Sequence, residues 1–116
     1  FTPHLLPVNR GILSTGYASL EGHATLDELH GHYLDRYSAE TFVRILPKGQ
    51  LPNISQVTGS NFCDIGLAVV DRTGRVIAVA VIDNLVKGAA GQALQNMNLM
   101  LGLPEQTGLM VAPGFP

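Results

Sequence analysis

The sequence is poor in charge and contains no long apolar run. Of its 116 residues only 14% are Asp, Glu, Lys or Arg, and the net charge is −2. Because soluble domains usually carry about 25% charged residues, the shortage indicates that part of the surface is normally covered. No cluster of Lys and Arg is present, which argues against nucleic acid or an anionic membrane as a partner. No apolar run approaches the roughly 18 residues that span a bilayer.

Thiols are equally scarce, because Cys63 is the single cysteine. It excludes an internal disulfide and favours a reducing, cytoplasmic setting. With no histidine at useful spacing, Cys63 is better interpreted as a small buried hydrophobe than as a nucleophile. Of four histidines only His30 and His32 are close, and on a helix they point about 200° apart, so we expect no metal site. The chain begins with Phe and no leader, which suggests a piece of a longer protein.

Hydrophobic periodicity predicts an α+β arrangement. A capping box formed by Thr25 and Glu28 opens an amphipathic helix. The clearest pattern is a β-hairpin over 63–84 that turns at 72–74. Both of its faces are apolar, so we expect cover on both sides, one of them from another subunit or domain. The remaining predicted segments are strands at 8–20 and 42–46 and an irregular functional or interface loop at 47–62.

The stretch "DNLVKGAAGQALQNMNLMLGLPE" predicts an unusual helix. Gly88 and Gly91 lie in its opening turns, although glycine costs roughly 0.5–1 kcal/mol there relative to alanine. Such glycines permit the close approach of a flat ligand or another backbone, and Gln92 offers a donor and an acceptor. A buried helix with small packing residues explains them equally well. We expect the packing stripe to be Ala90, Ala93, Leu94, Met97 and Leu101, with Gly102 and Pro104 ending the helix.

Cations that could approach a pocket are few. Arg10, Arg44 and Lys48 are the only ones in suitable segments. For each of them a solvated side chain is the simpler interpretation.

Four motifs carry a family resemblance. "FTPHLLPVNRGILST", "LPKGQLPN", "GSNFCDIG" and "VIDNLVKGAAGQALQNMNLMLGL" resemble the C-terminal part of N-acetyl-gamma-glutamyl-phosphate reductase. The resemblance implies an α+β fold like the C-terminal domain of glyceraldehyde-3-phosphate dehydrogenase, with a mostly antiparallel sheet and helices on one face. Residues 1–83 would be part of the catalytic and dimerisation domain. Residues 84–116 would be a helix and tail that return to a Rossmann domain absent from this chain.

The same resemblance implies an activity. The family reduces N-acetylglutamyl 5-phosphate to the 5-semialdehyde with NADPH, using a cysteine and a histidine expected upstream of Phe1. Cys63 does not match that nucleophile, so no catalytic residue is expected here and the chain alone should be inactive. A homo-oligomer, dimer or tetramer, is implied, and the alternative is a non-catalytic oligomerisation or binding module. Arg10 is the expected substrate-binding residue, and the expected NADP-binding residues are Asn84, Gly88, Ala89, Gly91 and Gln92.

Overall fold

The computed structural model describes residues 2–114. This part of the chain contains four strands and two α-helices, with two short 3₁₀ turns, at Ile54–Gln56 and Asp71–Thr73, and one π-helical turn at Val86–Ala90. The strands and helices in chain order are β1 Ile12–Ser19, α1 Leu26–Tyr37, β2 Val43–Ile45, β3 Cys63–Val70, β4 Arg75–Ile82 and α2 Gly91–Met100.

The four strands form one mixed sheet in the order β1-β4-β3-β2. β4 is antiparallel to both β1 and β3, whereas β2 runs parallel to β3. The predicted hairpin is therefore confirmed, with Val69 opposite Val76 and Gly74 closing the turn at φ 57°. That left-handed conformation is open to glycine at little cost. The mostly antiparallel sheet expected from the resemblance is present.

Helix α1 begins where the sequence predicts it. The Thr25 hydroxyl accepts a hydrogen bond from the Glu28 backbone N–H, and the Glu28 carboxylate accepts one from the Thr25 N–H, which completes the capping box. The helix packs against β2 and β3, and the ring nitrogen Nε2 of His30 lies 2.8 Å from the carbonyl oxygen of Leu46. His30 is thus a partly buried anchor of the helix, as its place in the apolar stripe predicts.

Cover of the sheet is uneven. The loop after β2 lies on β3 so closely that a Cβ on Gly66 would stand 2.6 Å from the Gln50 carbonyl oxygen. On β1, by contrast, every residue is exposed, including Leu13 at 49% and Tyr17 at 66%. The sequence predicts cover on both faces of the hairpin β3–β4; within this chain α1 and the loop after β2 pack against β3, whereas β1 beside β4 is left exposed.

The packing stripe predicted for α2 is wrong. Met97 and Leu101 are exposed, and the buried side of the helix consists of Gly91, Gln95 and Asn98. The buried amides have partners inside the chain, so that side can be buried without the usual penalty for polar groups. The helix ends as expected, with Gly102 at φ 69°. In the described residues, no helix is long and apolar enough to cross a membrane.

Candidate functional site

A buried carboxylate, that of Asp83, lies immediately after β4. Its side chain is fully buried at 0% exposure. One oxygen, Oδ1, accepts hydrogen bonds from the backbone N–H groups of Leu85 at 2.9 Å and Val86 at 3.2 Å. An aspartate that bonds N–H groups two and three residues on is a frequent start of a helical turn. Asp83 therefore fixes where the chain turns from β4 into the π-helical segment.

The second oxygen of Asp83 faces other parts of the chain. Oδ2 accepts from the Gly59 N–H at 2.6 Å and from the Arg10 guanidinium at 2.5 Å. Burial raises the pKa of Asp83, but the hydrogen bonds from Gly59, Leu85, Arg10 and Val86 outweigh it and hold the pKa below its ordinary value. The carboxylate thus stays charged and joins the segment before β1, the loop before β3 and the turn after β4.

The Arg10 guanidinium is paired with Asp83 and remains partly exposed to solvent. Its side chain is 33% exposed, while its Nε is buried and has no hydrogen-bond partner in the described residues. The simple interpretation of Arg10 as a solvated side chain is wrong, because Asp83 holds the guanidinium. The exposed part of the group remains a cation able to bind an anion. Its expected role in substrate binding stays a prediction.

The Asn84 side chain connects the end of β4 to the start of β1. Its side-chain Oδ1 accepts a hydrogen bond from the backbone N–H of Gly11 at 2.6 Å, which ties the start of β1 to the end of β4. The oxygen is engaged within the chain, and the amide nitrogen lies outside this bond. The predicted contact of Asn84 with NADP would have to use that nitrogen.

The turn after Asn84 is wider than an α-helical turn. The N–H of Gly88 bonds the carbonyl of Asp83 at 3.0 Å, and that of Ala90 bonds the carbonyl of Leu85 at 3.2 Å. Five-residue spacing of this kind is rare and often found at functional sites. Gly88 and Ala89 are both exposed, and a Cβ on Gly88 would meet its nearest atom at 3.5 Å. This stretch presents a smooth surface of backbone and methyl groups.

Gly91 has a neighbour inside the chain. It is buried, and a Cβ there would stand 2.4 Å from Asn61 Oδ1 and 2.9 Å from the Val86 carbonyl oxygen. Real Cβ atoms do not approach other atoms so closely. The glycine is therefore required for α2 to seat on the loop before β3, whatever else it contacts. Of the predicted site residues only Gly91 lines the adjacent cleft of about 230 Å³ between α2, that loop and the tail around Leu109.

The other amides of α2 face an internal polar network. Gln95 Oε1 accepts from Asn61 at 3.0 Å and from Lys87 at 2.8 Å, and Gln95 Nε2 donates to Glu105 at 2.9 Å. Asn98 donates to the carbonyl oxygens of Glu105 and Thr107. The network locks the tail after α2 onto the helix.

Gln92 lies outside this network. It is half-buried, and its Nε2 donates to Asn96 Oδ1 one turn on, at 3.1 Å. A pair of this kind on a helix surface is weak, so a ligand could replace it. The predicted contact between Gln92 and NADP stays a prediction.

Sequence reasoning missed Asp83, Asn61 and Lys87 as parts of the site. The spacing of Gly91, Gln95 and Asn98 places all three on one helix face and could have revealed the buried polar side. Asp83 carried a weaker signal, an acidic residue between a strand end and a helical turn. Neither pattern identifies the distant partners.

The remaining candidates have structural roles. Arg44 donates to both oxygens of the buried Asp64 at 2.6 and 2.9 Å, and Lys48 pairs with Asp27 at 2.8 Å. The simple interpretation of Arg44 as solvated is therefore wrong, because its partner Asp64 is buried, whereas Lys48 forms an exposed surface pair that agrees with that interpretation. Burial raises the pKa of the Cys63 thiol, as does the neighbouring Asp64, so the thiol stays protonated and poorly nucleophilic. Within residues 2–114, no three His, Cys, Asp or Glu side chains come together as a metal site.

The fold is shared with solved structures of larger proteins. The structure is similar to a crystal structure of aspartate semialdehyde dehydrogenase II from Vibrio cholerae, with a TM-score of 0.65 over 84% of this chain and 29% of the other, at 17% identity. Identity at that level supports a shared fold, in agreement with the expected α+β domain.

The family follows from the sequence match. Residues 1–84 match the family described as semialdehyde dehydrogenase, dimerisation domain, and the chain belongs to this family. It is 62% identical over 116 residues to the N-acetyl-gamma-glutamyl-phosphate reductase of Geobacter metallireducens, covering 100% of this chain and 34% of that protein. It is 55% identical over 116 residues to the protein of the same name from Lachnospira eligens, covering 100% and 33%. The resemblance stated from the motifs is confirmed, and the chain spans about a third of the length of these relatives.

Proposed function

We propose that this chain is part of an oxidoreductase that reduces N-acetylglutamyl 5-phosphate to N-acetylglutamate 5-semialdehyde with NADPH, in the cytoplasmic synthesis of arginine. The observation that carries the proposal is 62% identity along the whole chain to a reductase of that name. In the balanced reaction, acyl phosphate, NADPH and a proton give semialdehyde, NADP⁺ and inorganic phosphate. The nucleophilic cysteine and the Rossmann domain would belong to residues outside this sequence.

The first contribution of this chain would be to hold the substrate. Arg10 keeps an exposed cationic end while Asp83 fixes its position. An arginine offers several N–H donors to a phosphate or carboxylate group. We assign Arg10 to an anionic group of the acyl phosphate on that ground.

The second contribution would be to border the cofactor. When bound, NADPH supplies the hydride that reduces the acyl group. Gly88 and Ala89 fit such a neighbour, because both are exposed on a smooth turn. Gln92 can release its weak partner and offer an amide to the nicotinamide carboxamide, and the Asn84 side-chain nitrogen forms no hydrogen bond within residues 2–114. Gly91 fits less well, because Asn61 already occupies the space that its missing side chain leaves.

The third contribution would be assembly. Residues 84–116 would pack on the nucleotide-binding domain through the exposed apolar side of α2, where Met100 is 86% exposed. The open face of β1 would meet a second copy of the chain. Exposed apolar patches beyond a few hundred Å² are uncommon on monomers, and an uncovered edge strand invites pairing.

Genetic complementation tests the proposal. The full-length gene should restore growth without arginine to a bacterial strain that lacks its own N-acetyl-gamma-glutamyl-phosphate reductase. A gene that encodes residues 1–116 alone should not, because hydride transfer needs a positioned cofactor and an acyl-holding nucleophile. Failure of the well-expressed full-length gene to restore growth would favour the alternative, a non-catalytic oligomerisation module.

A further inference from the structure

The two side-chain oxygens of Asp83 contact different parts of the chain. Oδ1 receives the N–H groups of Leu85 and Val86, which begin the turn that carries Gly88 and Ala89. Oδ2 receives the Arg10 guanidinium and the Gly59 N–H. One buried carboxylate thus contacts both the proposed substrate anchor and the proposed cofactor-facing turn.

Within the described residues, Arg10 forms no ion pair other than the one with Asp83. Arg10 precedes β1 in an exposed segment, in which residues 2–9 are exposed throughout. Its Nε is buried and has no hydrogen-bond partner among the described residues, so the ion pair with Asp83 is what orders the guanidinium. A long arginine side chain that must be ordered at binding loses affinity to side-chain entropy. Holding it in advance removes that cost.

We propose that Asp83 is a positioning residue for the reduction: it fixes Arg10 relative to the turn at Val86–Ala90, so that the anion of the substrate is bound at a set distance from the cofactor. The inference rests on the proposed function, in which Arg10 binds the acyl phosphate. Asp83 touches neither substrate nor cofactor and acts through Arg10.

A double-mutant cycle in the full-length protein tests this role. Asp83→Asn should raise the KM for the acyl phosphate roughly tenfold and leave the KM for NADPH within about twofold, since hydrogen bonds to charged groups are the strong ones. Arg10→Gln should raise the same KM at least as much. In the Arg10→Gln background, Asp83→Asn should add nothing further to the KM for the acyl phosphate, because its route of action is already lost.

The matched control is Asp64→Asn. Asp64 is 2% exposed and bonds Arg44 through both oxygens, so its loss should lower the melting temperature without changing the ratio of the two KM values. Should Asp83→Asn fail to fold, Asp83→Glu replaces it in the cycle, because it keeps the charge and displaces it by one methylene group.

Two results would overturn the inference. One is an effect of Asp83 substitution that persists in the Arg10→Gln background. The other is a melting temperature that falls as in Asp64→Asn with both KM values unchanged. A wild-type protein with no acyl-phosphate reduction would instead overturn the proposed function itself, and with it the inference.

Discussion

Replacing Gly91 by alanine tests whether α2 is seated on its own chain. A Cβ at this position would stand 2.4 Å from Asn61 Oδ1 and 2.9 Å from the Val86 carbonyl oxygen, and the second of these is backbone. Inserting a methyl group into a well-packed site typically costs about 1–3 kcal/mol. An unobstructed helical glycine gives the opposite sign, a gain of about 0.4–1 kcal/mol. The expected net loss of stability is roughly 1–2 kcal/mol.

The chain supplies two matched controls for that substitution. Gly31 lies in the middle of α1, where no atom of the described residues would come within 4 Å of a Cβ, and at Gly88 the nearest atom would be 3.5 Å away. Thermal unfolding followed by circular dichroism should therefore show Gly31→Ala and Gly88→Ala at or slightly above the wild-type melting temperature. Gly91→Ala should melt several degrees lower. A Gly91→Ala protein as stable as Gly31→Ala would refute the contact between α2 and the loop around Asn61.

Three further predictions concern the oligomeric state, the binding of NADPH and the stability at low pH. Tyr17→Glu places a charge on the open sheet face and should convert the expected oligomer to monomer in analytical ultracentrifugation; an unchanged oligomer would exclude this face as the interface. Gln92→Ala should raise the KM for NADPH roughly three- to tenfold through one lost hydrogen bond, and unaltered kinetics would reduce Gln92 to a surface residue. Because the pKa of Asp83 is lowered in the fold, its stabilising effect is complete above the unfolded carboxyl pKa of about 3.9 and is lost as pH falls through the folded value. Asp83→Asn should accordingly flatten the loss of melting temperature below about pH 4, and an unchanged acid limb would contradict the burial of a charged carboxylate.

Helix α1 and the hairpin could be predicted from the sequence, because residues close together in the chain determine them. Helix α1 follows from the capping box of Thr25 and Glu28, and the hairpin from a turn that ends on Gly74. Both depend on residues a few positions apart, which a sequence displays directly. The irregular loop over 47–62 could also be predicted, because its sequence shows neither the helical nor the strand periodicity of apolar residues.

The seating of α2 could not be predicted in this way. Hydrophobic periodicity assumes that the apolar side of a helix is the buried side, whereas here Gln95 and Asn98 are buried and Met97 is exposed. Their partners, Asn61, Glu105 and the Thr107 carbonyl, lie 7 to 34 positions away. Long-range hydrogen bonds of this kind leave no mark in local periodicity.

The site was anticipated only in outline. The sequence indicates the glycines and amides after β4 as site candidates, but not the Asp83 carboxylate that fixes the turn between β4 and α2. Its ties to Arg10 and Gly59 bring together three segments far apart in sequence. The apolar faces of the hairpin β3–β4 predicted cover by another subunit or domain, but they did not identify β1 as the strand that the structure leaves exposed.

The most direct test of the central claim is a stoichiometric assay of the full-length protein with N-acetylglutamyl 5-phosphate and NADPH, with the reductase of Geobacter metallireducens as the reference enzyme. We predict one NADP⁺ and one inorganic phosphate for each semialdehyde formed. A folded full-length protein that oxidises no NADPH, under conditions in which the reference enzyme turns over this substrate, would contradict the proposed activity.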